Sequence, residues 1–171
     1  RISIEGLEQT NNSIRGLEDG FNRGYSTLKT LVAMGMKDVG FGMTVQDRNA
    51  PDLVPLYKLS DEMNMEFATA SLHNSFYFVE SNNIIHDRPM VAQHFEALVN
   101  ELLKSNSPKK WFRAYFNHGL INYIYSQKRL LKAGALIRAG VPIMKAAEES
   151  GFSEYSSVLR AFQKTFHMSP K

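Results

Sequence analysis

The sequence predicts an α/β segment followed by an all-α helix-turn-helix unit, and three observations carry that prediction. Short β-rich runs alternate with amphipathic helical stretches over the first seventy or so residues, the pattern of βαβ units around a parallel sheet. From Pro89 onward the periodicity is helical only. Near the C-terminus, Gly140 and Gly151 punctuate three short amphipathic stretches.

Taken in order, Arg1–Glu5 alternates around Ile2 and Ile4 and reads as a short buried strand ending at Gly6, with Gly6–Arg15 as a loop. A helix follows, placing Phe21, Tyr25, Leu28, Leu31 and Val32 at three- and four-residue spacing and closing at Gly35. Val39–Val45 is a strand, Asp47–Pro51 a turn, Asp52–Met63 a helix with Leu53, Leu56, Tyr57 and Leu59 inward, and Glu66–Leu72 the next strand. The polar run Glu80–Asp87 reads as an exposed loop.

Met90–Lys104 carries Val91, Phe95, Leu98, Val99 and Leu102 on one helical face. Asn106–Lys110 links it to an aromatic-rich helix over Trp111–Lys128, in which Tyr115, Phe116, Tyr123 and Tyr125 are expected to pack against other helices. Gln127–Ala139 is a basic amphipathic helix with Leu130, Leu131, Ala135 and Leu136 apolar; any domain junction near Gln127–Ala133 therefore lies inside a helical pattern. Val141 and Pro142 begin a second helix through Glu149, whose Ile143, Ala146 and Ala147 allow close approach of a neighbour. Ser150–Gly151–Phe152 is a tight turn in which Gly151 takes positive φ. Ser153 caps a third helix that runs to about Phe166 and buries Phe162 and Phe166.

Charge divides the chain at the same place. Residues 127–171 hold eight Lys/Arg against three acids, a net +5, whereas residues 1–126 hold twelve against fourteen, a net −2. That asymmetry points the C-terminal part toward a polyanion. The chain contains no cysteine, which excludes disulfides, thiolate catalysis and Cys-held zinc or iron–sulfur clusters. No apolar run reaches membrane-spanning length, so no membrane partner is expected, and a cytoplasmic location is.

In a helix-turn-helix the second helix offers its N-terminal residues to major-groove base edges while flanking cations hold phosphates. Ser153, Glu154, Tyr155, Ser156 and Ser157 stand at that end, and Arg160 and Lys164 lie four apart further along one face. These seven residues are the candidate contacts to double-stranded DNA. The pattern also suits an ordinary three-helix core with a solvated basic face.

The run Arg129-Leu-Leu-Lys-Ala-Gly-Ala-Leu-Ile, then Ile143-Met-Lys-Ala-Ala-Glu-Glu-Ser-Gly-Phe-Ser-Glu-Tyr-Ser-Ser, Arg160-Ala-Phe-Gln-Lys-Thr-Phe and Met168-Ser-Pro resembles the AraC/XylS family of transcriptional regulators over nearly all of residues 127–171. The resemblance implies a recognition surface at Ser153–Ser157 and Arg160. Val158 and His167 depart from it, standing where that family usually has Phe and Gly. The family's DNA module also holds two such units, and one is visible here.

The strand Ile2-Ser-Ile-Glu-Gly, the Arg15-Gly16 loop end, Gly20-Phe21, Val39-Gly-Phe-Gly-Met-Thr with Asn49, and the helix ending Arg129-Leu-Leu resemble the second half of a radical S-adenosylmethionine enzyme of the SPASM type, as far as about Leu131. That resemblance implies part of a (β/α) barrel, with Ser3 and Arg15 helping to hold S-adenosylmethionine beside a [4Fe-4S] cluster. The cluster needs three cysteines, so no cofactor is expected for this chain, and the N-terminal part reads as an inactive remnant. The two resemblances meet at Arg129–Ala133. The chain therefore reads as a fragment or chimera of residues 1–126 and 127–171.

The five histidines, His73, His86, His94, His118 and His167, form no tight metal pair. His73 ends a strand where substrate-facing groups of α/β folds collect, against the simpler reading as a satisfied structural histidine. His86 and Asp87 near Glu80 raise a metal or acid–base site, against the simpler reading as loop.

Overall fold

The computed structural model describes residues 1–73, 83–152 and 154–166, without the side chains of residues 127, 128 and 164–166. Among the described residues there are three strands and seven α-helices. The chain is mixed α/β and divides into two compact units, Arg1–Ile121 and Asn122–Lys171.

Unit 1 is built on a parallel sheet of order β1 (Ile2–Ser3), β2 (Gly40–Val45) and β3 (Glu66–Ser71). Ile2 pairs with Phe41, and Phe41 in turn with Phe67. Helices α1 (Glu8–Arg15) and α2 (Gly20–Ala33) connect β1 to β2, while a 3-10 turn at Ala50–Asp52 and α3 (Leu53–Glu62) connect β2 to β3. Because alternate strand residues face opposite sides, Phe41, Met43 and Val45 point together into the core, each at most 2% exposed. Leu28, Leu53, Leu56, Val91, Phe95 and Leu98 bury the inward stripes of α2, α3 and α4 (Arg88–Leu103), as the three-and-four spacing requires. Val32 of α2 instead stays exposed.

The segment expected as a loop, Gly6–Arg15, is largely helical. Its residues Glu8-Gln-Thr-Asn-Asn-Ser-Ile-Arg carry almost no apolar stripe, so hydrophobic periodicity cannot reveal α1. Polar side chains anchor it instead: Asn11 Oδ1 accepts from Glu5 N at 2.8 Å, and Asn12 Oδ1 accepts from Phe21 N at 2.8 Å. Gly16 closes the helix at φ 63°.

The link placed at Asn106–Lys110 is shorter than expected. Helix α5 starts at Pro108, where a missing N–H costs nothing, and runs unbroken to Arg138 through both helical stretches read from the sequence. In unit 1, Asn117 takes an inward position: Thr69 Oγ1 donates to its Oδ1 at 2.6 Å and its Nδ2 donates to Arg113 O at 2.7 Å. That phase turns Tyr115 and Phe116 outward at 76% and 44% exposure, against the expectation that they pack on other helices.

Unit 2 has a small core of Leu130 and Ala133 from α5, Ala147 from α6 (Ile143–Glu149), and Val158 and Phe162 from α7 (Tyr155–Phe166), with Ile137, Phe152 and Ala161 packed against it. Leu130, Ala133 and Ile137 form the buried stripe of α5, whereas Leu131 and Ala135, expected inside, face solvent. Spacing of three, then four, keeps the first set on one side; Leu131 lies about 100° away from Leu130. Among the described residues, no helix is long and apolar enough to cross a membrane.

Candidate nucleic-acid interface

Two matched turns shape unit 2. At the end of α5, Gly140 N donates to Ile137 O and Val141 N to Leu136 O; at the end of α6, Gly151 N donates to Glu148 O and Phe152 N to Ala147 O. This is the Schellman arrangement, which needs a left-handed residue just beyond the helix. Gly140 and Gly151 supply it at φ 85° and 80°, so Gly151 takes the positive φ expected of it. Phe152 then folds onto the core and the chain enters α7. Ser153, the expected cap, lies outside the described residues.

Helix α7 buries Val158 and Phe162, and half-buries Ala161. The opposite side exposes Ser156, Arg160 and Gln163, spaced i, i+4 and i+7 and therefore aligned along one stripe. Arg160 Nε donates to Ser156 O at 3.3 Å, holding the guanidinium along the helix. The other sequence candidates part company. Ser157 is half-buried; Glu154 Oε2 accepts from Ser156 Oγ at 3.1 Å; Tyr155 is 44% exposed beside Met144 and Phe152. The side chain of Lys164 lies outside the described set. Gln163 escaped sequence reasoning, although its place seven residues after Ser156 was the available signal.

Not every base of the basic segment is free to meet a phosphate. Lys132 Nζ donates to Glu149 O at 2.5 Å, and Lys145 lies 3.9 Å from the Glu149 carboxylate. A cation at the C-terminal carbonyls of α6 satisfies an orphan acceptor and opposes the negative end of the helix dipole. Arg138 Nε reaches back to Gly134 O at 3.3 Å.

In unit 1 the structure brings Ser3 and Arg15 together at the C-terminal end of β1. Arg15 donates to Ser3 O at 3.0 Å and lies 3.7 Å from Glu5 Oε1. Burial pushes the Glu5 carboxyl up, against the opposing pull of the Thr44 N–H and Arg15. Asn49, fully buried, accepts from Gln46 N and donates to Glu5 O and Thr44 O, tying the ends of β1 and β2. His73 Nδ1 lies 3.0 Å from Ser71 O. The N–H groups of His86 and Asp87 both donate to the Asp47 carboxylate, and Asp87 Oδ1 caps α4 through Met90 N, so this stretch serves the chain's own turn. Glu80 lies outside the described residues. Among the described residues, no group of three His, Asp or Glu side chains converges as metal ligands.

No family model, no curated protein and no solved structure matches the chain.

Proposed function

We propose that unit 2 binds double-stranded DNA as an AraC-type helix-turn-helix, as in a transcriptional regulator, with α7 entering the major groove. The observation that carries this reading is the exposed Ser156, Arg160 and Gln163 stripe, standing opposite buried Val158 and Phe162 on a helix aimed by the Gly151 turn. Arg reads guanine O6 and N7, and Gln reads adenine N6 and N7. Ser153, Tyr155, Ser157 and Lys164 flank the stripe in sequence, and the net +5 of residues 127–171 supplies the sequence-independent attraction. This reading carries with it the expectation of a cytoplasmic location. Fluorescence anisotropy of a labelled random-sequence duplex tests the reading. Binding should weaken steeply with salt and further on Arg160→Ala and Lys164→Ala, whereas absent or salt-independent binding refutes it.

The second reading concerns unit 1, as the remnant of a radical S-adenosylmethionine-type partial barrel. It is favoured by the parallel β1-β2-β3 register and the convergence of Arg15 on Ser3. A [4Fe-4S] cluster does not fit this chain, which has no thiolate to hold one. Arg15 is moreover engaged by Ser3 O and Glu5. Reconstitution with iron and sulfide should leave no cluster absorbance, and a stable cluster spectrum would overturn the reading as an inactive remnant.

A further inference from the structure

Unit 2 segregates its few negative charges. Of the three acids in residues 127–171, Glu149 lies by Lys145, while Glu148 and Glu154 line one cleft of about 200 Å³ between α6 and the start of α7. Met144, Ala147, Phe152 and Tyr155 form the rest of its lining among the described residues, and none of the described basic side chains Arg129, Lys132, Arg138, Lys145 and Arg160 contributes to it. Met144 is 73% exposed, a large apolar side chain left in water at the mouth of the cleft. Two carboxylates there repel a phosphate backbone. They complement a cation whose hydrocarbon stem can lie on Met144 and the Tyr155 ring while its head meets the acids.

We propose that this cleft docks a basic segment of a partner protein, one that presents an arginine or lysine next to an apolar residue. The partner would engage a face of unit 2 distinct in charge from the rest of the segment. The inference goes beyond the DNA reading; it shares Glu154 and Tyr155 with the candidate DNA contacts, and Met144 and Glu148 are the residues that belong to it alone.

The test uses the full chain and a short fluorescein-labelled peptide of repeating Arg and Leu, with a twin carrying Glu for every Arg. The Arg peptide should bind saturably, less tightly as salt rises, and about tenfold more weakly to Met144→Ala and to the Glu148→Gln/Glu154→Gln double variant. Glu62→Gln, an exposed acid of unit 1, should leave the affinity unchanged. Equal affinity for all variants, an equal loss in Glu62→Gln, or preference for the Glu twin would overturn the proposal. So would self-association abolished by Met144→Ala and unaffected by the peptide, since a second copy would then be the occupant. Duplex DNA is titrated in parallel, and Met144→Ala and Glu148→Gln should leave its affinity unchanged. Peptide binding without DNA binding defeats the DNA reading alone; DNA binding without peptide binding defeats this proposal alone.

Discussion

The side-chain amide of Asn49 donates to the carbonyls of Glu5 and Thr44, at 3.0 and 2.9 Å, from a position with no solvent exposure. Its oxygen accepts from Gln46 N at 2.7 Å. One residue thus satisfies three backbone groups of half-buried residues where β1 and β2 end. Asn49→Ala strands them together, and should destabilise unit 1 by roughly 2–3 kcal/mol. Urea unfolding followed by far-UV circular dichroism reads that loss as a lower midpoint at unchanged slope. Asn49→Asp should fare little better, because it exchanges the donating nitrogen for an oxygen facing two carbonyls.

Glu66 gives unit 1 an acid-sensitive clasp. Lys109 above all, and then Arg1 and Arg113, hold its carboxyl down from 4.5 to about 2, against the opposing effect of burial. A depressed carboxyl stabilises the fold above its unfolded value, and that stabilisation disappears as pH falls from about 4.5 through about 2. Unfolding midpoints measured across this window should fall in the native chain and fall less in Glu66→Gln. Parallel slopes for the two proteins would remove Glu66 from the account.

Two glycines should fail on substitution for different reasons. A Cβ on Gly40 would sit 2.2 Å from Glu66 O, so Gly40→Ala forces β2 and β3 apart and should cost several kcal/mol, about 3 or more. A Cβ on Gly151 meets nothing closer than Arg129 Nε at 3.8 Å, and its φ of 80° is the whole difficulty. Gly151→Ala should cost about 1–2 kcal/mol. Gly151→Asn should recover part of that, since Asn tolerates the left-handed region. Thermal melts of the three variants separate the mechanisms by magnitude and by rescue.

What was legible in the sequence follows the same physics. Val39–Val45 and Met90–Lys104 declared themselves because burial wrote apolar residues at strand and helix spacing. Helix α1 did not, since Asn11 and Asn12 hold it by hydrogen bonds rather than by an apolar face. The outward turn of Tyr115 hinges on Asn117 finding Thr69, a partner 48 residues away in sequence. At the candidate interface, the sequence alone presents five consecutive residues, Ser153–Ser157, as one surface. A helix turns about 100° per residue, so Ser157 falls toward the core side while Ser156, Arg160 and Gln163 align.

The basic side chains of unit 2 should divide by salt dependence. Each phosphate contact removed lowers the slope of log affinity against log salt by about one. Arg160, whose described contact is the Ser156 carbonyl on its own helix, is free to reach DNA with its remaining N–H donors, so Arg160→Ala should reduce affinity, and should reduce the slope too if its contact is a phosphate rather than a base. Lys132 is committed to Glu149 O at the end of α6. Lys132→Met should therefore lower the melting temperature of unit 2, at a cost of about 0.5–1 kcal/mol for a lost C-terminal cation, while the salt slope stays where it was. A slope reduced by one in Lys132→Met with no change in melting would reverse the assignment, making Lys132 a phosphate contact and leaving the α6 carbonyls to water.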